Sequence, residues 1–147
     1  MTKKRTQEPW IPGDEYGRRL PKFTVNLIVA DVARAVAFYR EVLGAKAVYA
    51  DPDFAAMDIA GFEFMLHADH AYDDHPWHTR LLTTRQRGLG AELRLLGVNP
   101  DEIEARAKQH GAQLLRPTQD RAHGWREVIV EDPDGYAWAV GVPTKKE

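Results

Sequence analysis

Residues 123–140, HGWREVIVEDPDGYAWAV, contain two short segments with the composition and alternation of β-strands. Asp134-Gly135 separates the two segments and is a turn signal. The stretch ends the second of two copies of one pattern, in which a strand is followed by a helix and three further strands. An internal βαβββ repeat constrains the fold more strongly than any single residue does.

Each copy begins with an apolar segment, followed by a helical pattern that ends at a glycine. In the first copy FTVNLIVA (23–30) precedes VARAVAFYREVL (32–43), and Gly44 ends the helix. In the second copy GAELRLLGV (90–98) precedes DEIEARAKQH (101–110), and Gly111 ends the helix. The strand-like segments that follow are AKAVYA, FAAMDIA and FEFMLHA in the first copy and AQLLRP, REVIVE and YAWAVGV in the second.

The repeat predicts an α+β fold in a single domain, residues 23–147, built from two βαβββ modules. The first module covers residues 23–68, a connecting loop covers 69–89, and the second module covers 90–143. Residues 1–22 form an N-terminal extension that contains Trp10, Ile11, Tyr16 and Leu20. It is too apolar for a free tail and too interrupted by proline, glycine and charge for a helix. We expect a strap packed on the domain; the alternatives are a lid over a site and a clasp between subunits.

Composition excludes several classes of function. The chain has 147 residues, 44% of them hydrophobic, which suffices for a core without disulfides. The absence of cysteine excludes thiol chemistry and Cys-ligated zinc. A formal net charge of −2 without a basic stripe does not indicate nucleic-acid binding. Because no segment has the pattern of a signal peptide or a membrane helix, we expect a cytoplasmic protein with no membrane partner.

The segments DVARAVAFYREVLG (31–44) and DPDGYAW (132–138) resemble signatures of the vicinal oxygen chelate superfamily. This superfamily includes glyoxalase I, extradiol dioxygenases and the fosfomycin- and bleomycin-resistance proteins. The resemblance covers roughly residues 23–143 and is greatest to bleomycin-resistance-like and glyoxalase-related members. It implies curved mixed sheets around a cavity between the modules, commonly in a homodimer. In the metal-dependent members, His and Glu side chains on the first and last strands of each module chelate a divalent ion.

Carried over to this sequence, the four chelating positions of the superfamily fall on Asn26, Met65, Glu92 and Ala139. Only Glu92 is an ordinary ligand for a divalent metal, because an Asn amide binds weakly, a Met thioether suits soft ions and Ala offers no donor atom. We therefore predict no metal at the usual positions and no cofactor. The departure disfavours glyoxalase I or dioxygenase chemistry there.

Strand alternation predicts which side chains face the cavity: Asn26 on the first strand, Met65 and His67 on the fourth, and Glu92 and Arg94 on the first strand of the second module. Glu92 and Arg94 have two interpretations. They form an internal ion pair, or they anchor a ligand, with Arg94 binding an anionic or carbonyl oxygen and Glu92 a cation or hydroxyl. Glu92 is also a candidate general base.

Four histidines, at positions 67, 70, 75 and 78, crowd into the stretch MLHADHAYDDHPWH (65–78). This stretch is a solvated linker, a hydrogen-bonding lid over a ligand, or part of a displaced metal site formed by His67, His70, Glu92 and His123. The ion at such a site would be Zn, Fe, Mn or Ni.

Three further residues are candidates at the cavity. Trp125 and Trp138 offer aromatic surface for a ligand, and His123 can transfer a proton. The acids of the segment Asp132-Pro133-Asp134-Gly135 are assigned to a hairpin turn and not to catalysis.

Three functions remain open. The first is a metal-independent protein that binds a small organic ligand, for example an aromatic or antibiotic-like compound, in the cavity between the modules. The second is an enzyme, a lyase, an isomerase or a dioxygenase, that uses Glu92 or His123 for proton transfer or uses the displaced metal site. The third is a structural or regulatory dimerisation module.

Overall fold

The computed structural model describes residues 1–145 and confirms the α+β architecture of two βαβββ modules. The chain divides into two compact units, one formed by residues 1–40 with 44–83 and the other by 41–43 with the described part of 84–147. Each unit contains one four-stranded mixed sheet.

The first unit contains four strands in the order β1-β4-β3-β2, with β1 and β4 parallel. The strands are β1 (Asn26–Val29), β2 (Lys46–Ala50), β3 (Phe54–Ile59) and β4 (Phe62–Ala68). Its helices are α1 (Gly13–Arg19), α2 (Val32–Glu41), α3 (His78–Leu81) and a 3₁₀ helix (Asp69–Tyr72). Helix α2 begins where Oδ1 of Asp31 accepts a hydrogen bond from the N–H of Arg34, at 3.0 Å.

The second unit repeats this plan, with strands in the order β5-β8-β7-β6 and β5 parallel to β8. Its elements are β5 (Glu92–Leu96), α4 (Pro100–His110), β6 (Gln113–Asp120), β7 (Trp125–Glu131) and β8 (Ala137–Pro143). Helix α4 begins at Asn99, whose Oδ1 accepts from the N–H of Asp101 at 2.9 Å, and ends at Gly111, which is left-handed with φ 80°.

Each unit has its own apolar core between its helix and its sheet. Phe38, Tyr39, Phe64 and Leu66 are at most 1% exposed in the first unit. Ile103, Val128 and Val140 are fully buried in the second. Burying a side chain of this size contributes roughly 1.5–3 kcal/mol relative to leaving it in water, so each module holds together by its own packing.

The turn between β7 and β8 is the predicted hairpin turn. Oδ1 of Asp132 accepts hydrogen bonds from the N–H groups of Asp134 and Tyr136, both at 2.9 Å. Residues 85–88 pack directly on this turn, and a Cβ atom on Gly135 would lie 2.6 Å from the carbonyl oxygen of Arg85. Only glycine permits that approach.

Two expectations about irregular segments were wrong. The N-terminal extension contains a helix, α1, which has Asp14 and Glu15 in its first turn and Arg18 and Arg19 in its last, the arrangement that a helix dipole favours. Residues 69–89 also contain the 3₁₀ helix and α3 and are not a plain linker. In α1, the ion pairs of Arg18 with Asp14 and of Arg19 with Glu15 stabilise helical turns that are too few to show a periodic pattern.

Candidate functional site

The side chains of Asn26 and His67 meet on one face of the first sheet. Strands β1 and β4 pair in parallel with Asn26 opposite Met65, which places Asn26 and His67 on the same side. Oδ1 of Asn26 lies 2.6 Å from Nδ1 of His67, and Nδ2 of Asn26 donates to the hydroxyl of Tyr72 at 2.8 Å. The structure thus brings together two of the predicted site residues and adds Tyr72, which follows β4 in the 3₁₀ helix.

The imidazole of His67 is neutral at physiological pH. Burial lowers its pKa to about 4, an effect larger than the opposing one of the Asp51 carboxylate. Burial also raises the pKa of Tyr72, more than the hydrogen bond from Asn26 lowers it, so the phenol stays protonated. Because Oδ1 of Asn26 can only accept, Nδ1 of His67 carries the proton and Nε2 has a free lone pair.

His67 forms part of the wall of a cavity of about 270 Å³ within the first unit. Aromatic side chains make up much of the wall: Trp10, Tyr16, Phe54, His67 and Tyr72. The ring centroids of Phe54 and Tyr72 lie 4.8 Å and 4.7 Å from that of His67. The cavity is therefore mostly apolar and ring-lined, and the imidazole of His67 is part of its wall.

The N-terminal extension supplies one side of this cavity. The ring of Trp10 stacks on Tyr49 with centroids 4.6 Å apart and also lies over Phe54, at 6.3 Å. The hydroxyl of Tyr16 donates to Oε1 of Glu63 at 2.8 Å, and its pKa is raised by burial and by that carboxylate. These contacts agree with a packed strap, one of the interpretations of the sequence.

Asp53 fastens the start of the extension to the first sheet. Its carboxylate accepts hydrogen bonds from the N–H groups of Lys4 at 2.7 Å and Arg5 at 3.2 Å, and it lies 2.6 Å from Nε2 of His70. Asp53 is only 3% exposed. Burial would raise its pKa, but the bonds from His70 and the two backbone groups together lower it below its usual value. The carboxylate is therefore ionised and fully engaged.

A different arrangement occupies the corresponding face of the second module. Nη1 of Arg94 binds Oε1 of Glu92 at 2.7 Å, and Nη2 binds Oε2 of Glu127 at 2.8 Å. Nε2 of His123 lies 3.3 Å from the other oxygen of Glu127. Glu127 is 4% exposed, whereas Glu92 and Arg94 are exposed. Glu92 and Arg94 thus form an ion pair, but it is exposed and not the internal pair that the sequence suggested, and Glu127 was not foreseen.

The two tryptophans assigned to ligand binding lie on opposite faces of the second sheet. Trp125 shares the face of Glu127, two residues further along β7, and is half-buried. Trp138 pairs with Leu93 and Val130 and is 5% exposed, so it belongs to the core and lies on the face away from Arg94. Its place follows from the alternation of β8, which directs Trp138 and Val140 to one side and Ala139 to the other.

The donor atoms present do not fit the divalent ion that the superfamily's metal-dependent members bind. Asn26 and Met65 both lie on the face of β1 and β4 that contains His67, but they offer an amide and a thioether; Ala139 offers no donor. Among residues 1–145, no group of three or more His, Cys, Asp or Glu side chains is arranged to hold an ion.

The side chains of the alternative metal set have other partners. His67 binds Asn26, His70 binds Asp53, Glu92 binds Arg94 and His123 binds Glu127. The geometry of the described residues therefore gives each of these four groups a protein partner.

Comparison with known proteins agrees with the fold. A family model described as the Glyoxalase/Bleomycin resistance protein/Dioxygenase superfamily matches residues 22–140. An uncharacterized protein of Mycobacterium bovis is 28% identical over 135 residues, which cover 86% of each chain. No helix among residues 1–145 has the length and apolar character needed to cross a membrane.

Two solved structures illustrate the likeness. A protein of unknown function from Agrobacterium tumefaciens is 25% identical, with a TM-score of 0.66 over 84% of this chain and 94% of its own. The fosfomycin resistance protein FosX of Listeria monocytogenes shares the fold at 20% identity, with a TM-score of 0.63 over 85% and 94%. Since the family model spans both βαβββ modules, this chain belongs to the glyoxalase/bleomycin resistance protein/dioxygenase superfamily, also known as the vicinal oxygen chelate superfamily.

Proposed function

We propose that this protein binds a small aromatic molecule, without a metal ion, in the ring-lined cavity of its first unit. The observation that carries the proposal is the cavity itself, about 270 Å³ in volume and walled by aromatic side chains from β3, β4 and the N-terminal extension. The proposed site lies within the first unit and thus differs from the one that the sequence suggested, a cavity between the modules.

The size and lining of the cavity favour a compact planar ligand. A cavity of roughly 150 Å³ is enough to hold benzene, so the larger volume here suits one ring with substituents or two fused rings. Trp10, Phe54 and Tyr72 offer ring faces and edges, against which a planar ligand gains about 0.5–1.5 kcal/mol per aromatic pair beyond its burial. An aliphatic molecule of equal volume gains only the free energy of burial.

Metal independence is supported by the chemistry of the donor atoms. An amide oxygen, a thioether and a methyl group take three of the four positions at which metal-dependent relatives chelate, and Glu92 alone is an ordinary ligand. Binding to this protein therefore relies on ring packing and hydrogen bonds.

The name of FosX, a fosfomycin resistance protein, makes antibiotic-like compounds a sensible second group of ligands to test.

The experiment has two parts and uses the full chain, purified without chelator. Metal content is measured by mass spectrometry, and aromatic and aliphatic compounds of matched size are then screened by thermal shift and tryptophan fluorescence. We expect substoichiometric metal, and aromatic hits that bind the Trp10→Ala variant at least tenfold more weakly. Trp77→Ala is the matched control, because Trp77 is 53% exposed and is not part of the cavity wall.

Two experimental results would contradict the proposal. Stoichiometric zinc, iron, manganese or nickel in the purified protein contradicts metal independence. A screen in which no aromatic compound binds, or in which Trp10→Ala and Trp77→Ala weaken binding equally, contradicts the site.

A further inference from the structure

We propose that the ligand is a planar aromatic anion carrying an O–H or N–H group, and that this group donates a hydrogen bond to Nε2 of His67. The inference rests on the proposed function and deepens it, because it names the class of ligand for that cavity. Its basis is a chain of three polar side chains together with the charges on the cavity wall.

The chain of side chains determines which nitrogen of His67 is the acceptor. Asn26 donates through Nδ2 to Tyr72 at 2.8 Å, so the opposite end of its amide, Oδ1, faces His67 at 2.6 Å. An amide oxygen has no proton to give, and Nδ1 of His67 must therefore be the donor. In a neutral imidazole the other nitrogen, Nε2, is then an acceptor. Asn26 is a positioning residue for this tautomer.

Nε2 of His67 is without a hydrogen-bond donor among the described residues. Within residues 1–145, no backbone or side-chain group donates a hydrogen bond to it, and its ring lines the cavity. Burial keeps the imidazole neutral by lowering the pKa to about 4. A ligand that donates to Nε2 satisfies this acceptor, whereas an apolar ligand of the same shape displaces its water and leaves it unsatisfied. The cavity therefore discriminates in favour of a ligand with a donor.

The charges on the cavity wall favour an anion. Lys3 and Arg5 both line the cavity, and within the described part of the chain neither forms an ion pair. Asp53 also lines it, but its carboxylate is occupied by His70 and by the N–H groups of Lys4 and Arg5. The wall thus includes two cationic residues and one carboxylate that is already engaged. A carboxylate or sulfonate on the ligand would bind the cations with charge-assisted hydrogen bonds.

The test compares matched small molecules by isothermal titration calorimetry on the full chain. The probes are the three hydroxybenzoates, the three methoxybenzoates and the corresponding neutral hydroxybenzyl alcohols. We expect at least one hydroxybenzoate to bind about tenfold or more tightly than its methoxy counterpart, which cannot donate. We also expect it to bind more tightly than its neutral alcohol, by a margin that shrinks as salt concentration rises.

Variants of His67 and Asn26 test whether these two residues cause the preference for hydroxybenzoate over methoxybenzoate. In His67→Phe, which keeps a ring but removes both nitrogens, the hydroxybenzoate and methoxybenzoate should bind equally. His75→Phe is the control, since His75 does not line the cavity and should leave the preference unchanged. In Asn26→Leu the preference should fall, and ¹⁵N NMR of the imidazole should show loss of the single Nδ1–H tautomer. The same NMR measurement on the wild-type protein should find Nε2 unprotonated.

Each possible result either supports or overturns the inference that a ligand donates a hydrogen bond to Nε2 of His67. Equal binding of hydroxy and methoxy probes to the wild-type protein, a preference that persists in His67→Phe, or a protonated Nε2 in the wild type would overturn this inference. In those cases the proposed function stands as long as aromatic ligands bind the cavity. If no aromatic compound binds at all, both proposals fail together. The NMR result needs no variant, so it remains decisive even if a substitution prevents folding.

Discussion

In the first module the polar residues Asn26 and His67 lie on β1 and β4 beneath aromatic rings, and His67 is held neutral. In the second module the equivalent strand β5 carries Glu92 and Arg94, which are charged and exposed to solvent. Both modules have the same order of strands and the same parallel pairing. The backbone plan is shared, and the chemistry on the corresponding faces is not.

The N-terminal extension covers His67 in the first module, and this covering accounts for much of the difference in chemistry between the two faces. Trp10 and Tyr16 come from the extension and pack against Phe54, which places apolar surface around His67. In a largely buried, ring-lined site an imidazole is most stable without charge. At the second module the guanidinium of Arg94 keeps contact with water, and charged groups are tolerated there. The two faces can therefore be separated experimentally by charge, pH and burial.

The largest expected effect is on the pH dependence of stability, and it arises from the first module. The pKa of His67 is about 4 in the folded protein and about 6.5 when unfolded. Above pH 6.5 both states are neutral, so the group contributes nothing. Between pH 6.5 and 4 the unfolded chain binds a proton that the folded protein excludes, and stability falls as pH falls. The loss approaches about 3 kcal/mol near pH 4, at 1.36 kcal/mol per pKa unit.

Denaturant unfolding of the wild type and of His67→Phe, measured from pH 7.5 to 4, checks this value. The variant cannot bind a proton at position 67, so its free energy of unfolding should fall less steeply over the same range. Other titrating groups cancel in the difference between the two proteins. Parallel curves would show that His67 is not buried as a neutral base.

The second expected effect concerns Glu127, the buried acid of the second module. Replacing Arg94 with Met removes its cationic partner and leaves the carboxylate, which is 4% exposed, beside His123 alone. Breaking a fully buried pair costs roughly 3–5 kcal/mol; because Arg94 is 37% exposed, we expect about 2 kcal/mol here. The measurement is urea unfolding at pH 7.

A double variant tests the reason for that cost. Arg94→Met combined with Glu127→Leu removes both charges and should recover most of the lost stability, because an apolar pair of similar volume is tolerated in place of a buried ion pair. If the double variant is as unstable as the sum of its two single variants, packing and not charge burial is responsible.

The sequence predicted the faces of the strands better than it predicted the site. Alternation along β1 and β4 correctly put Asn26 and His67 together, because a strand directs every second side chain to the same side. Alternation also placed Trp138 on the core face of β8, where the structure has it. Naming Trp138 as a ligand-binding residue disregarded this alternation. Periodicity alone was therefore sufficient for the strands and for the two longer helices, α2 and α4, but not for the short helical turns.

The contacts that close the cavity could not be found in this way. Asp53 binds the backbone of Lys4 and Arg5, almost fifty positions earlier in the chain, and the sequence around Asp53 reads only as a turn. Trp10 lies in an irregular segment whose packing on Tyr49 has no periodic signature. Long-range pairing between irregular segments depends on the folded backbone, and no local pattern encodes it. Tyr72 was missed for the same reason, since it looked like one polar-loop residue among many.

The smallest expected effect provides the sharpest comparison within the second module, because two carboxylates bind the same guanidinium. Glu92 lies 2.7 Å and Glu127 2.8 Å from Arg94, yet their side chains are 44% and 5% exposed. Exposed ion pairs contribute about 0–1 kcal/mol, so Glu92→Gln should change the free energy of unfolding by less than about 1 kcal/mol at pH 7. Urea unfolding in low and high salt measures it, and the change should diminish in high salt. Glu127→Gln is the matched variant, with the same chemical change at nearly the same distance from Arg94; Glu127 differs in its burial and in its contact with His123 at 3.3 Å. A larger loss for Glu127→Gln would show that the buried environment, and not the distance to Arg94, sets the energetic weight of a charge on this face. Equal losses would mean that distance decides, and the contrast between an enclosed first module and an ionic, solvent-facing second one would lose its physical basis.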